Sequence, residues 1–184
     1  MFRHTASLLA MAALLAACGT TTRDRPVALA ELRPTAGNAA EGSAWFVQDR
    51  NDVIVHARVK GLKPGSEHGF PVHERGDCSN NGEGAGGHFN PTKMPHGGQS
   101  GPHHAGDIPS LKADAAGVAE AKFRIAGVLM GGGDADLIGK AVVVHANPDD
   151  YTSQPSGNAG PRIACGVLLT PTGGENPKFV PAQM

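Results

Sequence analysis

The stretch from Glu67 to Asp107 constrains this chain more than any other. It reads EHGFPVHERGDCSNNGEGAGGHFNPTKMPHGGQSGPHHAGD and holds six of the nine histidines and one of the three cysteines. So many Gly, Pro and His residues exclude a helix, and the stretch is far too long for an ordinary turn. Loops of this length inside a compact domain are either functional or disordered. Repeated imidazoles beside an aspartate point to a metal ion as the source of order, because metal binding then supplies folding free energy. The rest of the chain reads as the scaffold that holds this loop.

That scaffold is short of aromatic residues, which make up 4% of the 184 residues, so its core must be built from Val, Ile, Leu and Ala. Twenty-six Gly and fourteen Pro argue for many turns between short strands and against a helical bundle. The length suits one domain. A formal net charge of −1 with no basic stripe excludes nucleic acid as a partner.

Residues 1–18 read as an export signal. Arg3 gives a positive start, and the apolar run from Ala6 to Ala17 is too short to span a bilayer. It ends in Leu15-Ala16-Ala17-Cys18, which resembles the lipobox of bacterial lipoprotein signals. By that resemblance Cys18 becomes the lipidated first residue, and the protein meets the membrane only through this anchor. An ordinary secretory signal cleaved nearby is the alternative, and both readings export the chain. Residues 19–26, with Thr20-Thr21-Thr22 and Arg23-Asp24-Arg25, read as a tether. If Cys18 carries lipid, Cys78 and Cys165 remain as an even pair in an oxidising compartment. A bridge between them would close a long loop, with an idealised stabilisation of roughly 4–5 kcal/mol; two buried free thiols are the alternative.

Strand signals flank the loop on both sides. Val27–Leu32 and Trp45–Gln48 are modest candidates. In Asp52–Lys60, Val53, Val55, Ala57 and Val59 share one face while His56, Arg58 and Lys60 take the other. The same alternation returns at Ala119, Ala121, Phe123 and Ile125, against Glu120, Lys122 and Arg124. Lys140–His145 and Ile163–Leu169 are further strands, and residues 171–184 read as an irregular tail. Gly61–Gly65 and Asp114–Gly117 supply turn chemistry. Seven or eight short strands with long connections over residues 27–170 predict an all-β domain, an antiparallel sandwich or flattened barrel.

Five histidines carry the chemistry. His73 and His145 stand at strand ends, and His88, His96 and His104 lie along the loop, with Asp107 three residues beyond His104. His88, His96, His104 and Asp107 together give three nitrogens and one oxygen, a donor set suited to a closed tetrahedral zinc site. Ligands from one loop joined by others at strand ends are how a β scaffold makes a rigid metal site.

The combined pattern is His-Gly-Phe-x-Val-His-Glu, a Cys, His-Phe-Asn-Pro, His-Gly-Gly, His-x-Gly-Asp, Val-Val-His followed by Asp-Asp, and Gly-Asn-Ala-Gly-x-Arg-x-Ala-Cys-Gly. It resembles the copper/zinc superoxide dismutase family, over roughly Ala28 to Leu169. The resemblance implies a Greek-key β sandwich or flattened barrel with long metal-binding and electrostatic loops, superoxide as substrate, and copper and zinc as cofactors. It makes His88 the imidazole shared by copper and zinc, His96, His104 and Asp107 the other zinc ligands, and His73 and His145 copper ligands. It pairs Cys78 with Cys165 and places Arg162 beside copper as the residue that attracts the superoxide anion. Asp149 becomes the carboxylate that ties a zinc-ligand histidine to a copper-ligand histidine, His68 a structural histidine and His103 an exposed one. The resemblance also allows a homodimer and fits a periplasmic, envelope-anchored antioxidant enzyme.

One position departs from the pattern. The family motif reads His-x-His where this chain has Pro71-Val72-His73. Residues two apart on a strand face the same way, so proline removes one of two imidazoles aimed at copper. His73, His88 and His145 remain. Cu(II) favours four tetragonal nitrogens whereas Cu(I) accepts fewer, so the loss falls hardest on Cu(II). The sequence thus predicts a complete zinc site beside a copper site short of one nitrogen, and a zinc-stabilised, non-catalytic relative stands as the alternative to an enzyme.

Overall fold

The computed structural model describes residues 27–171. The signal segment with Cys18, the tether and the tail from residue 172 onward lie outside the described residues. Nine strands are present among them: β1 (Val27–Pro34), β2 (Glu41–Asp49), β3 (Asp52–Lys60), β4 (Glu67–His68), β5 (Val72–His73), β6 (Leu111–Lys112), β7 (Ala119–Ala126), β8 (Ala141–His145) and β9 (Arg162–Val167). The only helical turn among them is Glu83–Ala85. No described helix is long and apolar enough to cross a membrane.

The alternating sequences become the long strands. In β3 the inward residues Val53, Val55 and Val59 are fully buried, and His56, Arg58 and Lys60 lie on the outer face. β1 buries Ala28, Ala30 and Leu32, β2 buries Ala44 and Phe46, and β7 buries Ala119 and Ile125. Each buried Val, Leu, Ile or Phe contributes about 1.5–3 kcal/mol over leaving it in water. Seven strands form one antiparallel sheet in the order β5-β8-β9-β1-β2-β3-β7. Inward residues of both ends of this order belong to a single hydrophobic core, so the sheet curls over itself into a half-barrel of Greek-key type. The flattened-barrel form of the prediction therefore holds.

The curl has a definite corner in β1. Residues Val27–Leu32 pair with β2, and Arg33 and Pro34 then pair with Cys165 and Ala164 of β9. Two glycines permit the crossing. A Cβ on Gly166 would lie 2.4 Å from the Glu31 carbonyl oxygen, and one on Gly42 would lie 2.0 Å from that of Arg58. Any side chain there would force the strands apart.

The short strands tie down the histidine-rich loop. Glu67 and His68 pair with Lys112 and Leu111, so β4 and β6 close the two ends of the loop against each other. Inside it, Val72 and His73 pair with Val142 and Ala141 of β8. Phe89 donates its N–H to the Val72 carbonyl, and Val72 donates to that of Gly106. These two-residue strands have no periodicity in the sequence, which is why the strand count exceeds the seven or eight expected. Cys78 and Cys165 are bonded, with Cα atoms 5.7 Å apart across a sequence separation of 87, and this link ties the loop to β9. The two free thiols left open above are thereby ruled out.

Candidate metal centre

The sequence-selected residues converge in two adjacent sets. His88, His96, His104 and Asp107 form one, and His73, His88 and His145 form the other; within each, the donor atoms all lie within 4.8 Å of one another. Every member is buried.

In the first set three Nδ1 atoms face one carboxylate oxygen. Asp107 Oδ1 lies 2.7 Å from His88 Nδ1, 3.0 Å from His96 Nδ1 and 3.3 Å from His104 Nδ1. Its other oxygen accepts the backbone N–H of Gly97 at 3.1 Å and of His104 at 2.8 Å. Burial alone would raise this carboxyl's pKa, but the His88 ring and the two N–H groups outweigh it and hold the group at about 2. The His96 ring is fixed from behind: its Nε2 lies 2.9 Å from Asp149 Oδ1. A neutral imidazole that donates from Nε2 presents a lone pair at Nδ1. That lone pair points at an anionic oxygen, and both His96 Nδ1 and His104 Nδ1 are buried without a hydrogen-bond partner. Buried polar atoms are ordinarily paired, so three nitrogens and one oxygen turned inward with nothing between them fit a cation. The donor types suit zinc.

The second set has the same logic with no carboxylate. His73 Nδ1 donates to the Gly86 carbonyl at 2.8 Å, and His145 Nδ1 donates to that of Gly160, also at 2.8 Å. Their Nε2 atoms are therefore acceptors, and they face each other 3.3 Å apart. Burial, reinforced by His88 and Arg162, holds the His73 pKa well below the ordinary imidazole value. His145 is pushed down to about 4, first by burial, against the opposing pull of Gly160. Neither ring is protonated at neutral pH, so no shared proton explains the approach. His88 Nε2, buried and unpartnered, completes three lone pairs around one point. Three neutral imidazoles suit copper.

Pro71 sits where the sequence placed it, immediately before β5. It is buried, and its carbonyl accepts the Val143 N–H at 3.1 Å, continuing the β5–β8 pairing. Having no N–H, it leaves out the return bond of that pair.

This second set opens into a cleft of about 360 Å³, lined among others by His73, His88, His145, Glu74, Ser156 and Arg162. Arg162 donates to the carbonyls of Gly82 and, at 2.7 Å, Gly86, and its side chain is 12% exposed. Gly86 thus holds both the arginine and His73. His68 lies outside both sets, bridging the His145 carbonyl at 2.7 Å and Ser66 Oγ at 2.7 Å, and His103, expected to be exposed, is half-buried and donates from Nδ1 to the Gly101 carbonyl at 2.6 Å. Asp149 reaches His96, and among the described residues it makes no hydrogen bond to the second set. Sequence reasoning missed the carbonyls of Gly86 and Gly160, which fix two ring orientations, because a backbone oxygen carries no residue signature. It also missed Gln154 and Tyr151, single polar residues in a loop without pattern.

Comparison with known proteins agrees with this geometry. A family model described as copper/zinc superoxide dismutase matches residues 40–168. A copper–zinc superoxide dismutase of Aquifex aeolicus is 40% identical over 146 residues, which cover 76% of this chain and 84% of that protein. One from Mesembryanthemum crystallinum is 41% identical over 139 residues, covering 71% of this chain and 88% of the relative. Among solved structures, the clock protein EA4 superposes with a TM-score of 0.71 at 33% identity, covering 80% of this chain and 96% of EA4.

Proposed function

This chain belongs to the copper/zinc superoxide dismutase family, and on that premise we propose that it is an exported, lipid-anchored metalloprotein of the cell envelope that disproportionates superoxide. The family implies copper and zinc as its metals. We assign zinc to His88, His96, His104 and Asp107, and copper to His73, His88 and His145. The observation that carries the reading is the approach of His73 Nε2 and His145 Nε2 to 3.3 Å with no proton to share.

Bound copper would supply a one-electron shuttle that oxidises one superoxide to oxygen and reduces another toward hydrogen peroxide. The protein's own groups divide the remaining work. Arg162 stands at the cleft with its guanidinium held by two carbonyls, so an anion entering meets a fixed positive charge. Gly86 and Gly160 fix the tautomers of His73 and His145. His88 offers Nε2 as the atom that holds and releases a proton, because its Nδ1 is committed toward Asp107. Asp149 keeps His96 turned toward the quartet. A periplasmic position behind a Cys18 anchor suits an enzyme whose anionic substrate crosses membranes poorly.

A second reading has its own observation. Pro71, buried at the start of β5, stands where the family carries a histidine, which favours a zinc-stabilised relative without catalysis. The deciding experiment loads the exported chain with both metals, counts them, and measures superoxide consumption before and after Pro71→His. An enzyme shows stoichiometric copper and turnover in the native chain. The non-catalytic reading wins if the native chain holds one zinc, little copper and little activity, and the variant gains copper.

A further inference from the structure

Of the four residues assigned to zinc, His96 has the least support from its own main chain. His88 is bridged to His73 in the strand pairing, and the His104 carbonyl accepts the Asp107 N–H at 3.0 Å. His96 sits between Pro95 and two glycines, and among the described residues its backbone makes no hydrogen bond to any other backbone group. Both of its backbone groups are taken up by one side chain. His96 N–H donates to Gln154 Oε1 at 2.9 Å, and Gln154 Nε2 donates to the His96 carbonyl at 2.9 Å. The amide thus reproduces the paired donor and acceptor of a neighbouring β-strand residue.

The same loop holds the other end of the ring. Asp149 accepts from His96 Nε2 and from the Tyr151 N–H, and Tyr151 Oη donates to Ser110 Oγ at 3.0 Å. Gly157 packs beneath this contact, so closely that a Cβ there would lie 1.8 Å from Asp149 Oδ1 and 2.7 Å from His96 Nε2. The next residues after Gln154, Pro155 and Ser156, line the cleft beside His73 and His145.

We propose that Gln154 is a positioning residue for zinc, clamping the His96 backbone from the loop that also supplies the cleft wall at Pro155 and Ser156. This rests on the assignment of zinc to the quartet. Metal ligands are oriented by partners behind them, and removing such a partner costs roughly 10–100-fold in affinity. Gln154 is solvent-exposed, so its contribution belongs at the low end of that range, and its removal leaves the core intact.

The test compares the native exported chain with Gln154→Ala, which removes both bonds, and Gln154→Glu, which keeps the acceptor and loses the donor. Zinc affinity is read by competition with a chromophoric chelator, the visible spectrum of the Co(II)-substituted protein reports ligand geometry, and hydrogen exchange follows residues 149–157. Gln154→Ala should bind zinc about tenfold more weakly, with Gln154→Glu between it and the native chain. Its Co(II) bands should shift, and zinc should slow exchange in residues 149–157 less than in the native chain. Stability should fall less in the metal-free chain than in the zinc-bound one. Unchanged zinc affinity and Co(II) spectrum overturn the proposal, as does a stability loss equal with and without zinc, which marks a structural role only. Failure of the native chain to take up zinc shows in the unmutated protein; it removes the zinc assignment, and the role of Gln154 with it.

Discussion

The quartet of His88, His96, His104 and Asp107 and the trio of His73, His88 and His145 share an imidazole but are held in opposite ways. The quartet has a buried carboxylate at its centre, backbone N–H groups behind that carboxylate, and Asp149 behind one ring. It is closed. The trio has no anion, its outer rings are fixed only by the carbonyls of Gly86 and Gly160, and it faces a cleft. A cation in the quartet meets opposite charge that is already buried and oriented. A cation in the trio meets only dipoles, and the proline at position 71 takes away a further one. Tight, redox-inert binding belongs to the first arrangement, and exchange with ligands from solution to the second.

The contrast can be broken most directly at Asp107. Asp107→Ala should weaken zinc binding by more than about a hundredfold, beyond the range for loss of a supporting partner, as read by chelator competition. Near-native affinity would mean that the carboxylate is not what sets the quartet apart. Acid should separate the two sets next. In the metal-free chain His145 titrates at about 4, against 6.5 for an unperturbed imidazole, and His73 is shifted in the same direction. Between those values the unfolded chain binds more protons than the folded one, so stability should fall as pH drops from 6.5 to about 4, by on the order of 3 kcal/mol from His145. Asp107 has the same sign in a lower window. Its contribution is fully present above the unfolded value of 3.8 and disappears only as pH falls through about 2. Urea titrations at stepped pH check this, and a flat profile between pH 6.5 and 4 would remove the distinction. The smallest effect belongs to Asp149→Asn. Zinc affinity should fall about tenfold through loss of the charge behind His96, and copper affinity at the trio should hold; an equal loss of both metals would show that the sets share this support.

Much of this was legible from residues alone. Asp52–Lys60 appears as β3 with the same bounds, because a two-residue alternation survives any tertiary context that buries one face. The six metal-facing side chains were chosen by type and spacing, and all six meet in the two sets. The family pattern named Asp149 and Arg162, and they lie behind His96 and beside the cleft. The short strands β4, β5 and β6 were not legible as an alternating pattern, since two residues do not make a period. Gln154 was invisible because its partner lies 58 residues away and is a backbone.

Strand faces and the side chains able to bind a metal could be read along the chain, because they follow from residue type and from alternation over a few neighbouring residues. Where β1 changes partners, which carbonyl sets each imidazole's tautomer, and which loop clamps His96 emerge in the folded molecule alone. Those contacts join residues far apart in the chain through backbone atoms that every residue possesses, and only the folded path of the chain selects among them.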